Sequence, residues 1–523
     1  MNNILFLRRL MRTFYGHINV LNMKTLQSTF VFILSLASFP LVAQNEADVL
    51  RFSQTFTGGT ARVIGMGGAF GALGGDMASL SINPAGIGVY RVSEFTFTPT
   101  VSFDNTKSIF LENSYNDSKY KFNLNNIGYV FSYNTNKEEG WVSANFGIAY
   151  NRLNDFNRNT TITAVNSYSS MLDGFTSTLN WEGVGDIDLA GGRYDAYENL
   201  AQKTNALWFE PDSNRFINYF ETAKQYNELQ QRSITTKGRI GEYAFSFGAN
   251  YSHKLYLGVT IGIDELNYEE VKSHSESQTP DANLIDNLNF TDYFKTWGTG
   301  YNIKLGLIYK PIDLIRLGFA FHSPTFYNLS SEFNTSMDVY YKQSPFVNST
   351  QTYYSAQSDV YSFDYNITTP LRLISSVAFQ FKQFGVFSID YEYLDYTKGK
   401  IKADSDPFTD VNGKVQNIYH ATGNLKIGAE AKLGDFAVRA GFGYYGSPYK
   451  SSHFNKDAYS TSYSLGLGYR GQSFFFDLGY IVFDTKSNYN LYEYKQNNGT
   501  AFTETSSLDS KFGKFAMTLG FRF

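Results

Sequence analysis

The sequence predicts an all-β protein, a transmembrane antiparallel β-barrel of about 14 strands with a glycine-rich N-terminal hatch inside it. Three observations predict this. Strict alternation of apolar and polar residues recurs down the chain, and alternate side chains of a strand face opposite sides of a sheet. The connections between the alternating segments are long and short by turns, as in outer-membrane barrels with short periplasmic turns and long external loops. A glycine-rich stretch that is neither strand nor helix precedes the first segment. Composition agrees: of 523 residues 17% are aromatic and only 18% charged, with 40 Tyr and 47 Phe, a strand-forming profile. The absence of Cys excludes disulfide scaffolds, zinc ribbons, thiol nucleophiles and Cys-ligated clusters.

The only long apolar block, Phe30 to Val42, follows Met23-Lys24 and precedes Ala43-Gln44. It is too short to span a bilayer as a helix. A basic start, an apolar run and a small residue before the cut define a secretory signal peptide, with cleavage after Ala43 and Met23 as the true start. Residues 1–43 are accordingly read as a presequence, 44–93 as the hatch and 94–523 as the barrel. Loss of Arg8, Arg9, Arg12 and Lys24 with the presequence takes the net charge from −4 to −8, which repels nucleic acid.

Fourteen alternating segments follow: 94–103, 124–133, 141–153, 239–251, 255–267, 299–310, 314–322, 371–381, 386–397, 422–432, 436–445, 460–470, 473–484 and 512–523. The last is the clearest. Phe515, Met517, Leu519, Phe521 and Phe523 make one apolar face, while Lys514, Thr518 and Arg522 lie on the other. The greasy face suits lipid and the polar face a lumen. A soluble sandwich gives no reason for alternating loop lengths, and closing the sheet removes edges that hydrocarbon cannot satisfy. Tyr243, Tyr251, Tyr301, Tyr309, Tyr391, Tyr393, Tyr444, Tyr469 and Tyr480 sit near the ends of the apolar stripes, as interfacial girdles do. The longest connection, 154–238, is expected to be a large extracellular loop. Its Trp208, Phe209, Phe216 and Phe220, and Phe326, Tyr327, Phe333, Tyr340, Tyr341 and Phe346 of the next long loop, are candidates either for ligand capture or for packing within the loops.

Ten of the 34 residues from Thr57 to Tyr90 are glycine, which excludes regular structure throughout and permits close backbone approach. Met66, Ala69, Phe70, Leu73, Met77, Leu80 and Ile82 give it too many apolar anchors for a linker. Phe70 spoils a G-x-G-x-x-G reading and no Gly-Lys-Ser/Thr follows, so no nucleotide loop is present. A compact plug is the reading.

The run Gly65-Met-Gly-Gly-Ala-Phe70, the acid Asp76 and above all Asn83-Pro84-Ala85-Gly86 directly before the first segment resemble the FadL-type (OmpP1/TodX) outer-membrane transporters. The motif covers about 35 residues, and the strand count and C-terminal Phe523 extend it over the mature chain. The resemblance implies a plugged barrel that imports long-chain fatty acids or other hydrophobic molecules passively across the outer membrane of a Gram-negative bacterium, a hatch that shifts to release ligand, and sideways exit through a kink in the third strand. On this chain it points to Phe70, Leu73, Asn83, Pro84, Ala85 and Gly86 as hatch and ligand residues. The third strand makes Gly147 the lateral-gate candidate. A related branch with the same motifs serves protein secretion and surface attachment, so a barrel that docks proteins without transporting anything is the alternative.

Arg152, Lys304, Arg316, Arg372, Lys426, Lys432 and Arg439 are expected to line the lumen. Arg316, Arg372 and Arg439 are the candidates for a carboxylate head group; the same cations can instead neutralise Asp264, Asp390, Glu392, Glu430 and Asp477. Six His, one of them His17 in the presequence, show no metal spacing. His322-Ser323 point apart on a strand, so no nucleophile–base pair forms and no enzyme, metal or cofactor is expected. The expected partners are a hydrophobic small molecule such as a fatty acid, outer-membrane lipid, and the barrel-assembly machinery through Phe523; a monomer is expected.

Overall fold

The computed structural model describes residues 45–185, 194, 196–404, 406–495 and 499–523. The presequence and its cleavage point lie outside them. The strands are β1 (Glu94–Phe110), β2 (Asn113–Asn134), β3 (Trp141–Asp155), β4 (Arg158–Asn166), β5 (Leu207–Glu210), β6 (Arg215–Asn218), β7 (Glu228–Tyr251), β8 (Leu255–Ser277), β9 (Ile285–Ile312), β10 (Ile315–His322) and β11 (Phe326–Tyr341). They continue with β12 (Tyr353–Gln357), β13 (Tyr361–Thr368), β14 (Arg372–Gln380), β15 (Gly385–Asp395), β16 (Lys400–Lys402), β17 (Ala421–Leu433), β18 (Phe436–Tyr445), β19 (Ser460–Arg470), β20 (Phe474–Lys495) and β21 (Ala501–Arg522). The helices are α1 (Glu46–Ser53), α2 (Ala61–Gly65), α3 (Ser79–Ile82), α4 (Met171–Trp181), α5 (Glu198–Lys203), α6 (Tyr219–Ala223) and α7 (Thr409–Ile418).

Antiparallel ladders join neighbouring strands around a circle that closes between β21 and β1, Phe97 opposite Leu519. Three wall strands are each built from two pieces: β3 with β4, β10 with β11, and β14 with β13, which gives 14 strands in the wall. Every expected segment falls on one of them. Side-chain direction follows the alternation. Leu465 and Phe515 are 65% and 48% exposed, whereas inward Asp477 and Lys514 are 0% and 1% exposed. A closed sheet with such an apolar exterior is a bilayer-spanning barrel, and single-chain barrels of this kind are outer-membrane proteins. Among the described residues no helix is long and apolar enough to cross a membrane.

The structure differs from expectation above the membrane. β1 and β2 meet in a two-residue turn at Leu111-Glu112, both left-handed, so the expected 20-residue loop is mostly strand. β4 and the first half of β7 also continue as paired strand, confining the large connection to 167–227. Outside the lipid the outward face need not be apolar, so the strands persist while the hydrophobic alternation that marks them fades.

Candidate ligand-binding cavity

The N-terminal segment is tied to strands all round the circle. Ala61 N–H donates to Thr518 Oγ1 at 2.8 Å, Ser464 to Gly65 O at 3.2 Å, and Arg62 pairs with Glu430 at 2.9 Å. Phe70 and Gly71 N–H groups converge on Asp390 Oδ2 at 2.8 and 2.7 Å. Arg316 donates to Leu73 O at 2.7 Å, Thr260 to Leu80 O at 3.0 Å, and Asn145 to Ile87 O at 2.7 Å. One short segment reaches β3, β8, β10, β15, β17, β19 and β21 only from within the bore. Small residues on both sides permit it: a Cβ on Gly258 would collide with the Pro84 carbonyl, and one on Gly306 with the Asn83 side chain. Phe70, Leu73, Asn83, Pro84, Ala85 and Gly86 are all buried here.

Asn83 caps the 3₁₀ turn Pro84–Val89, which leads towards β1. Pro at the first position of the turn costs no hydrogen bond, because that N–H would be unpaired. At the other end of the segment α1 is closed by a capping box from Asn45 and Asp48 and buries Val49, Leu50 and Phe52 among Tyr268, Tyr327, Tyr365 and Tyr419.

Between α1 and the glycine-rich segment lies a cavity of about 110 Å³. Phe52, Phe56, Val63 and Ile82 give it an apolar side; Lys304, His322, Arg372, Glu392, Lys426 and Asp264 give it a polar one. Its charges are paired. Arg372 meets Glu392 at 3.1 Å, Lys426 meets Glu392 at 3.5 Å, Lys304 meets Glu242, and Asp264 accepts from Tyr327 at 2.9 Å. Arg372 also donates to Ser53 O and Thr55 Oγ1, so one guanidinium links the cavity to the N-terminal segment.

The cavity adjoins three interruptions of the wall. The ladder between β10 and β14 stops at Ser323-Pro324 and Thr369-Pro370, where proline has no N–H to contribute, and Thr325 and Thr369 bridge the break at 3.0 and 2.8 Å. The third interruption is on β3. Its ladder with β2 ends at Asn126–Asn151, its register against β7 shifts between Arg152 and Asn154, and above that point side chains replace the ladder: Asn123 donates to Asp155 at 2.9 Å and Lys119 to Thr236 O at 3.1 Å.

Of the head-group candidates only Arg372 lines the cavity. Arg439 is buried between Glu430 at 2.6 Å and Asp477 at 2.8 Å, and Arg316 is committed to Leu73. Lys432 is exposed at a turn and does not line the lumen. Gly147 sits within the intact β2–β3 ladder, opposite Val130, and an added Cβ would approach Ile87 Cδ1 at 2.6 Å. His322 Nε2 donates to Ile82 O, 2.9 Å away. Phe216, Phe220, Phe333 and Tyr341 pack in the cores of the external region, whereas Phe326, Tyr340 and Phe346 are exposed.

Similar architecture is found among solved structures. A FadL homologue from Pseudomonas aeruginosa superposes with a TM-score of 0.52 over 90% of this chain and 99% of that one, at 14% identity. The fold is FadL-type. The Pseudomonas putida toluene transporter TodX (TM-score 0.47, 12% identity, 90% and 99% coverage) and the Ralstonia pickettii toluene transporter TbuX (0.46, 13%, 90% and 100%) are also similar. No family model matches the chain, and no curated protein is detectably similar in sequence. The FadL-type barrel described here thus carries a cavity that abuts the third wall strand where its ladder fails.

Proposed function

We propose that this FadL-type barrel takes up amphipathic hydrophobic molecules, fatty acids foremost, across the outer membrane by passive diffusion, with the N-terminal segment as hatch and sideways release into the bilayer. The observation that carries the reading is the position of the cavity, half apolar and half charged, beside the end of the β2–β3 ladder at Asn126–Asn151. Each buried CH₂ contributes about 0.8 kcal/mol, so an acyl chain enters apolar surroundings without a pump. A cavity of about 150 Å³ holds a benzene ring, so this smaller one suits a head group and the first carbons, and a long chain requires α1 to move. The carboxylate would compete for Arg372 with Ser53 and Thr55, which couples binding to release of the N-terminal segment. The exit is proposed where β3 leaves β2, above Asn151, several residues beyond Gly147 on the same strand.

Transfer of a fluorescent fatty acid from external micelles into proteoliposome bilayers tests it. The barrel is expected to speed transfer at least about tenfold over protein-free vesicles, a barrier change of roughly 1.4 kcal/mol. Equal rates would overturn the reading.

A further inference from the structure

Far above the apolar belt, a polar cluster is buried where α4 docks on the barrel. The outward apolar stripe of β7 is Tyr243, Phe245, Phe247 and Tyr251, and Glu228 lies 15 residues beyond Tyr243 on the same strand. Glu228 and Glu276 are both fully buried and share one donor: Gln230 Nε2 lies 2.9 Å from Glu228 Oε1 and 3.2 Å from Glu276 Oε1. Glu276 is otherwise well served. It accepts from Ser170 Oγ and Met171 N–H, each at 2.6 Å, which fixes the first turn of α4, and it lies 3.1 Å from His274 Nε2. Arg232 donates to His274 Nδ1 at 3.3 Å, so that nitrogen is an acceptor and the imidazole is neutral, with its proton on Nε2 facing Glu276. Glu228 Oε2 has no partner among the described residues.

The same helix crosses the mouth of the barrel. Gly174 packs against Glu493 O on β20, while Phe175 meets Phe290 on β9 edge-on at 5.6 Å. β20 and β9 lie on opposite sides of the wall. We infer that Glu228 and Glu276, a carboxylic acid and a carboxylate joined through the Gln230 amide, form a latch that holds α4 across the mouth and lets go as the pH rises.

The physical reason is desolvation. Two carboxylates on one amide cannot both be ionised in a dry site, and Glu276 is the one with donors, so Glu228 carries the proton. Burial, and after it the Glu276 charge, push Glu228 up to about 9. Asp173, at the third position of α4, is pushed up to about 6 by burial, and His274 is lowered by burial and by Arg232. Tyr226, Tyr492 and Glu504 complete the surroundings; Tyr492 donates to Gln230 at 3.0 Å, and Glu504 accepts from Ser169 at 2.7 Å. With Glu228 near 9 when latched and near its ordinary 4.5 when hydrated, the latched state holds one extra proton throughout that window and weakens as the pH climbs through it. Below about 6.5 the release of His274, which then gains a proton, opposes this slope. From pH 7 to 9 Glu228 acts alone.

Hydrogen exchange of the full chain in nanodiscs, expressed as protection factors for 167–181, reads the latch without reference to any ligand. Protection is expected to fall about tenfold per pH unit between pH 7 and 9, while β15 keeps its protection. Glu228→Gln, neutral and of the same shape, should remain protected across the range. A flat wild-type profile, or an unchanged slope in Glu228→Gln, would overturn the latch.

Discussion

The side-chain amide of Asn83 donates to the backbone carbonyl of Leu307 at 3.2 Å, seating the N-terminal segment on the inner wall at β9. The same amide donates to Gly71 O at 2.6 Å, and Asn83 Oδ1 accepts from Ala85 N–H at 3.1 Å. One side chain therefore ties the two ends of the segment's loop to each other and to the barrel. Asn83→Ala leaves buried groups unpaired, at about 1–3 kcal/mol each. Hydrogen-exchange protection of 61–90 should fall about 5- to 150-fold with the wall strands unaffected. Protection equal to wild type would show that the contact does not seat the segment.

Arg372 is the cation that touches both the cavity and Ser53–Thr55. Arg372→Met should weaken binding of a carboxylate amphiphile by about 10- to 150-fold, the worth of a charge-assisted hydrogen bond of roughly 1.5–3 kcal/mol. An uncharged hydrocarbon of the same length should bind as before. Parallel losses for both ligands would locate the defect in folding rather than recognition.

The chain has no Cys, so paired cysteines report without background. Asn123 and Asp155 face each other across the parted β2–β3 seam. Asn123→Cys with Asp155→Cys, bridged by a short bis-maleimide, should slow fatty-acid transfer at least about tenfold, as expected when the exit is stitched. The singly substituted proteins treated in the same way should be unaffected; unchanged transfer in the bridged protein would move the exit elsewhere.

Arg439 is fully buried between Glu430 and Asp477. Arg439→Ala removes the cation that joins the two carboxylates, leaving Glu430 to Arg62 and Asp477 to Arg470, and breaking a buried ionic cluster costs about 3–5 kcal/mol. Urea unfolding followed by gel mobility should show that loss, whereas a midpoint within error of wild type would mean that water or a neighbouring cation replaces the guanidinium.

Phe523 is exposed at the end of β21, with its N–H donating to Ser93 O at 3.0 Å. If the assembly machinery reads this aromatic, Phe523→Ser should reduce the amount of barrel in the outer membrane several-fold without changing the stability of what is inserted. Equal insertion would remove Phe523 from that role.

What was legible in the sequence was whatever lipid enforces. Phe515, Leu465 and Phe247 announce their strands because a bilayer demands an apolar exterior on every second residue. The polar ends of β7, β8 and β11 carry no such mark, so His274 reads as a loop residue though it lies in β8, and its partnership with Glu228 and Glu276 exists only through cross-strand register. Asp390 was legible as an inward acid, yet its duty, receiving Phe70 and Gly71 N–H groups, needs the segment's path. Pro324 and Pro370 were a usable signal, since proline within a wall strand marks a break. Gly147 stands out in the sequence for its freedom to bend; in the structure it lies within the β2–β3 ladder close to Ile87, and that ladder ends farther along at Asn151.

Native mass spectrometry of the barrel released gently from its membrane tests the central claim most directly. One amphiphile per barrel, carboxylated at one end and lost in Arg372→Met, is the predicted result. Wild-type and variant barrels carrying the same bulk membrane lipids, in the proportions of the membrane itself, would contradict the account.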